Sequence, residues 1–321
     1  MLVTKGMVTG VECSGPFDRV HCVACLIGKA PQQPYAQNGN QALGVGDLLH
    51  MDICGPYLVA TPSGMKYFYV ILNDCANFGF TTLLRLRSGA FEFYASTEAY
   101  IERTSGCSVR AVRLDGALEF TAGAMGRHFQ SKGISIQVTA PYAHSQNGKA
   151  ERYVRTLKDG GGQTLIADSG LPASLWGNAV LTVQYIRNRV PSLALPDGQT
   201  SYEVFFNKKP DLSHLRVWGC QCFVAIPKEL RTKGGPRRFE GIFVGYEEGR
   251  IGWRVCDLQG RTHFSHDVIF NESSAGRRSR LPRSLPPPTD ISVRPSRQRI
   301  LDVVGDRFAE ALDLSHSLRS S

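Results

Sequence analysis

The stretch from Thr139 to Lys158 reads TAPYAHSQNGKAERYVRTLK. It leaves a predicted strand, crosses a loop rich in Pro, His, Ser, Gln, Asn and Gly, and enters a predicted helix at Lys149. Glu151 falls in the first turn of that helix. Arg155 and Lys158 follow four and seven positions later and so share its face. Tyr153, Val154 and Leu157 fall on the other side, where they can enter a core. A carboxylate aligned with bases along one helical face makes a poor core and suits a metal ion beside a nucleic-acid phosphate.

Two earlier stretches carry further acids on strand-like runs: LLHMDICGP (48–56) with Asp52 and VRLDGALEF (112–120) with Asp115. Taken singly, each acid reads as a solvated surface residue. In an apolar run, an ionised carboxylate is costly unless it is paired, hydrogen-bonded or metal-bound. Taken together, the three blocks resemble the catalytic segments of Ty1/copia-type retrotransposon integrases. Thirty-five residues separate Asp115 from Glu151, the spacing of that family.

The resemblance implies Asp52, Asp115 and Glu151 as catalytic residues that also hold metal. Three close carboxylates repel one another unless a divalent cation neutralises them, and an all-oxygen set favours Mg²⁺ or Mn²⁺ over zinc. Two such ions serve an in-line displacement at phosphorus. In the family this is trimming of the element's DNA end, followed by attack of the new 3′-hydroxyl on target DNA. Lys149, Arg152, Arg155 and Lys158 are candidates for phosphate contacts, or else form a solvated basic face. Asn147 and His144, in the loop before the helix, either touch nucleic acid or shape the turn.

Departures from the family pattern are expected to matter. Leu114 and Gly116-Ala117-Leu118 replace the usual small polar-glycine turn around the second aspartate. Gly160-Gly161-Gly162 follows the third block. Each interior helical glycine costs about 0.8–1 kcal/mol relative to alanine, or about 2.5–3 for three, so the helix is expected to break or kink there.

The catalytic core, with the helices after it, is assigned to residues 43–190. Its strands are predicted at 48–54, 65–73, 80–87, 109–115 and 134–139, with helices at 88–104 and 125–132. Periodicity alone gives a mixed α/β domain; the resemblance implies a ribonuclease H-like fold. Beyond it, 164–188 reads helical, with Trp176, Val180, Val183 and Tyr185 as packing residues. A connector spans 191–213, with a helical turn at 200–206. Residues 214–272 read as short strands between glycine turns, and the resemblance implies a small SH3-like β-barrel. THFSHDVIF (262–270) is read as one of its strands. Lys228, Arg231, Lys233, Arg237 and Arg238 form a basic loop there, for nucleic acid or simply solvated.

Residues 1–42 hold Cys22 and Cys25, a CxxC zinc half-site. The family's two histidines lie upstream of its cysteines and have no match here, so this segment is expected to be a truncated module and linker. Residues 273–321, rich in Arg, Ser and Pro, are expected to be disordered.

The net charge of +9 over 321 residues favours an anionic partner: DNA by the resemblance, with RNA also open. Active relatives work as multimers, which implies a homo-oligomer. No run suits a membrane span. Nine scattered cysteines suit reduced thiols, and the expected location is the nucleus or a cytoplasmic particle before import. Two rival expectations are a nucleic-acid-binding remnant that keeps the fold without catalysis, and a ribonuclease H-like nuclease.

Overall fold

The computed structural model describes residues 42–114, 123–138 and 147–275. Cys22, Cys25, Asp115, His144 and nearly all of the 273–321 tail lie outside the described residues.

The first module is a five-stranded sheet in the order β3-β2-β1-β4-β5. Its strands are β1 (Leu49–Cys54), β2 (Tyr67–Asn73), β3 (Gly79–Leu84), β4 (Ala111–Leu114) and β5 (Ser135–Val138). β1, β2 and β3 form an antiparallel meander. The chain then crosses through α1 (Ala90–Ser105) to β4, parallel to β1, and through α2 (Gly123–Lys132) to β5, parallel to β4. This is the ribonuclease H-like order that the resemblance implied.

β1 and β2 are covered on both faces, as the nearly unbroken apolar run YFYVILN requires. On one face Leu49, Met51, Ile53, Tyr69 and Ile71 pack against Tyr94 and Ile101 of α1 and Met125 and Phe129 of α2. On the other, Phe68, Val70 and Leu72 meet Tyr153 and Leu157, and Trp176 and Val180. Alternate residues of one strand thus enter two different cores.

The second face is made by α3 (Gly148–Arg155), a π-helical segment (Thr156–Gly162), α4 (Gln163–Ser169) and α5 (Trp176–Arg187). Of the expected break or kink, the break does not occur: the helix widens into a π turn at the three glycines and continues. The reason is packing. A Cβ on Gly161 would fall 2.5 Å from a methyl of Val183, and one on Gly162 would fall 2.8 Å from the Leu157 carbonyl oxygen. The absent side chains let α5 lie close against this segment.

The second module is an antiparallel sheet in the order β10-β6-β7-β8-β9, the SH3-like unit. It comprises β6 (Cys220–Ala225), β7 (Arg238–Gly245), β8 (Trp253–Asp257), β9 (Thr262–Ser265) and β10 (Val268–Ala275). THFSHDVIF is therefore two strands rather than one. Asp267 makes the turn between them: its N–H donates to Ser265 Oγ at 3.1 Å and its carboxylate accepts from Arg238 at 2.7 Å. His263 is an ordinary strand residue, 2.8 Å from buried Asp257.

α5 joins the modules. Trp176, Val180 and Val183 face the first sheet, while Leu175, Ala179, Tyr185 and Ile186 face the barrel core of Phe243, Val244 and Tyr246. Tyr185 stacks on Tyr246 at 4.4 Å, and Arg189 lies 3.4 Å over the Tyr185 ring while reaching Glu248. Helix α6 (Ser201–Phe206), in the connector, returns to the first core through Phe205, stacked on Phe78 at 4.7 Å. Among the described residues, no helix is long and apolar enough to cross a membrane.

Candidate active site

Strand alternation sets the site. Leu49, Met51 and Ile53 point into the α1/α2 core, which leaves His50, Asp52 and Cys54 on the face covered by α3. Asp52 is half-buried and opposite Val70 of β2. Tyr153 of α3 and Leu157 of the π-helical segment, both buried, pack on this face, and Ala150 of α3 is buried as well. Glu151, in its first turn, is half-buried, and a carboxylate there is favoured by the helix dipole. Among the described residues, nothing hydrogen-bonds or ion-pairs with the Glu151 carboxylate. Two of the three expected acids therefore lie on elements packed directly together. Asp115 is outside the described residues; its neighbour Leu114 pairs in parallel register with Met51, the neighbour of Asp52.

Asn147 and Lys149 make internal contacts in the structure. Asn147 is 2% exposed. Its Nδ2 donates to the Met51 carbonyl at 3.1 Å, and its Oδ1 is 3.3 Å from His50 Nδ1. Of the two roles open to it, it shapes the turn. Lys149 turns away from the Glu151 face, as residues two apart on a helix must. Its ammonium donates to the Asp74 carbonyl at 2.6 Å and carboxylate at 2.8 Å.

His50 and Asp74 were not singled out in the sequence. His50 Nε2 is 2.7 Å from Asp74 Oδ1, and the Ala42 N–H donates to Oδ2 at 2.7 Å. Burial alone would push the Asp74 carboxyl up, but hydrogen bonds from His50, Lys149 and Ala42 outweigh it and hold the group well below the usual carboxylate range. The alternation in LLHMDIC was a usable signal for His50, which shares a face with Asp52. Nothing local marks Asp74, which lies 75 positions from Lys149.

Arg152 and Arg155 are exposed, and Lys158 is half-buried with Asp159 3.8 Å away. Burial pushes the Cys54 thiol up, Lys158 pulls it down and Asp52 raises it again. The Lys158 charge is thus felt at the strand end that carries Asp52. The basic loop of the barrel is exposed at Lys228, Arg231, Lys233 and Arg237. Arg231 donates to the Ile226 carbonyl at 2.7 Å, and Arg238 is paired with Asp267.

The donor chemistry fits a hard divalent cation. Asp52 and Glu151 offer oxygen only, and the imidazole of His50, on the same face, has both ring nitrogens against oxygens of Asp74 and Asn147. Among the described residues, no group of three or more His, Cys, Asp or Glu forms a metal cluster.

Residues 220–283 match the family model described as the retroviral polymerase SH3-like domain. Over 253 residues, 78% of this chain, the sequence is 32% identical to the retrovirus-related Pol polyprotein from transposon TNT 1-94 of Nicotiana tabacum. It is 22% identical, also over 253 residues and 78% of the chain, to that from transposon RE1 of Arabidopsis thaliana. The matches span 19% and 17% of those relatives' lengths. Among solved structures, a simian T-cell lymphotropic virus intasome in complex with PP2A regulatory subunit B56 gamma aligns with 76% of this chain and 84% of its own. That alignment has 13% identity and a TM-score of 0.45. With the sheet order, the SH3-like match and these Pol relatives in hand, the chain belongs to the integrase region of the Ty1/copia-type retrotransposon Pol polyproteins.

Proposed function

We propose that this chain carries a divalent-metal-dependent polynucleotidyl transferase that trims DNA 3′ ends and joins them to a target strand. The observation that supports it most is the packing of α3 on β1, which brings the elements bearing Glu151 and Asp52 together. The β1–β4 pairing at Met51 and Leu114 adds the strand that leads to Asp115.

In this reading Asp52, Asp115 and Glu151 hold Mg²⁺ or Mn²⁺. When bound, the ions supply a more acidic attacking hydroxyl and charge stabilisation for the leaving oxygen. The protein positions the rest: Arg152, Arg155 and Lys158 bind backbone phosphates beside the carboxylates, and no side-chain nucleophile is required. The substrates are an element end and a target duplex, which places the reaction in the nucleus and calls for more than one copy of the chain.

A strand-transfer assay with a labelled DNA end and Mn²⁺ tests the proposal. Joined product is expected from the wild type and none from Glu151→Gln. DNA binding with no product from either would instead favour a binding remnant. The altered turn after Leu114 in the sequence is the feature consistent with that second reading.

A further inference from the structure

The described carboxylates have neighbours that belong to one buried polar cluster. His50 precedes Asp52 by two residues on the same face of β1, and Met51 lies between them. Asn147 and Lys149 precede Glu151 by four and two residues. The cluster closes through Asp74, directly after β2: His50 and Lys149 reach the same carboxylate oxygen at 2.7 and 2.8 Å. Asn147 ties the same unit to the Met51 carbonyl at 3.1 Å.

The start of α3 depends on these bonds. Its N-cap residue is Asn147, yet the Asn147 side chain makes no capping hydrogen bond. It reaches across to β1 instead. α3 is the opening of a longer helical run, and no side chain caps its first turn. Its first turn is held instead by the Asn147 contact to β1 and the Lys149 contacts to the end of β2. His50, Asn147 and Asp74 are 1%, 2% and 6% exposed, so loss of one partner leaves another polar group unsatisfied in the interior.

We propose that His50, Asp74, Lys149 and Asn147 act together as positioning residues, fixing the first turn of α3 against β1 and thereby setting Glu151 against Asp52 for the cation. This rests on the metal-binding reading of those two carboxylates. Groups that orient metal ligands typically change affinity 10–100-fold when removed. A phosphate-contacting Lys149 makes a different prediction: its loss weakens DNA binding and lowers the salt dependence by about one phosphate contact.

The test is a titration of the full chain with MnCl₂ alone, followed by melting temperature, with DNA binding measured at several salt concentrations. Lys149→Met and Asp74→Asn are expected to raise the manganese midpoint about 10-fold or more while leaving the salt dependence of DNA binding unchanged. The double variant is expected to lose no more than the worse single, since the two residues act as one unit. Should the charge variants fail to fold, Asn147→Ala, which keeps the ion pair, carries the same titration with the same expectation. A wild type that responds to manganese with variants that respond identically would overturn this proposal alone. So would an unchanged midpoint with a reduced salt dependence in Lys149→Met. A wild type with no manganese response would overturn the carboxylate reading, and this one with it.

Discussion

Replacing each of Gly160, Gly161 and Gly162 by alanine separates backbone propensity from packing. Propensity alone stabilises all three variants by about 0.8–1 kcal/mol each. The environments differ sharply. A Cβ on Gly160 meets nothing within 4 Å, whereas one on Gly161 falls 2.5 and 2.6 Å from the two Val183 methyls and 3.1 Å from its Cβ. Overpacking of this kind costs roughly 1–3 kcal/mol. Gly160→Ala should therefore gain about 1 kcal/mol. Gly161→Ala should fall below Gly160→Ala by that packing cost, roughly 1–3 kcal/mol. Urea unfolding of the full chain measures both. Val183→Ala removes the offending methyls, so the cycle between Gly161→Ala and Val183→Ala should show favourable coupling of at least 0.5 kcal/mol. If Gly161→Ala stabilises as much as Gly160→Ala, the argument that these glycines admit α5 is wrong.

Two further outcomes follow from the same geometry. A Cβ on Gly79 would lie 2.2 Å from the Tyr153 hydroxyl, while the Gly79 backbone is held by Asn188 and Gln184 at 2.7–3.0 Å. Gly79→Ala should thus cost about 3 kcal/mol, a melting decrease of roughly 6–12 °C, and a decrease under 2 °C would contradict the tight β3–α3 approach. Asp74 has a lowered folded-state pKa, so its contribution is present above the unfolded value near 4 and is lost as pH falls toward the folded value. Asp74→Asn should flatten the acid limb of a stability–pH profile below about pH 4; an unchanged limb would show that the carboxylate is not held as described.

Much of the fold was legible because its strands are strongly patterned. YFYVILN and LLHMDIC read as strands from their own residues, and the alternation in LLHMDIC places Asp52 opposite the apolar positions. Glu151 was equally readable, since helical spacing separates it from Tyr153 and Leu157. The internal partners of Lys149 and Asn147 were not legible because they are remote in sequence: Asp74 for one, His50 and Met51 for the other. The glycine run was read as a break or kink because propensity counts the backbone of one helix and not the neighbour pressed against it.

By itself, then, the sequence determined which segments alternate and which carry acids, since strand and helix periods are local properties of a few consecutive residues. Only the tertiary structure decided which polar groups neutralise one another and where a missing Cβ is required. Both depend on atoms brought within a few ångströms by packing: Lys149 against Asp74, and Gly161 against Val183. Charge pairing and steric exclusion act over that distance whatever the separation along the chain.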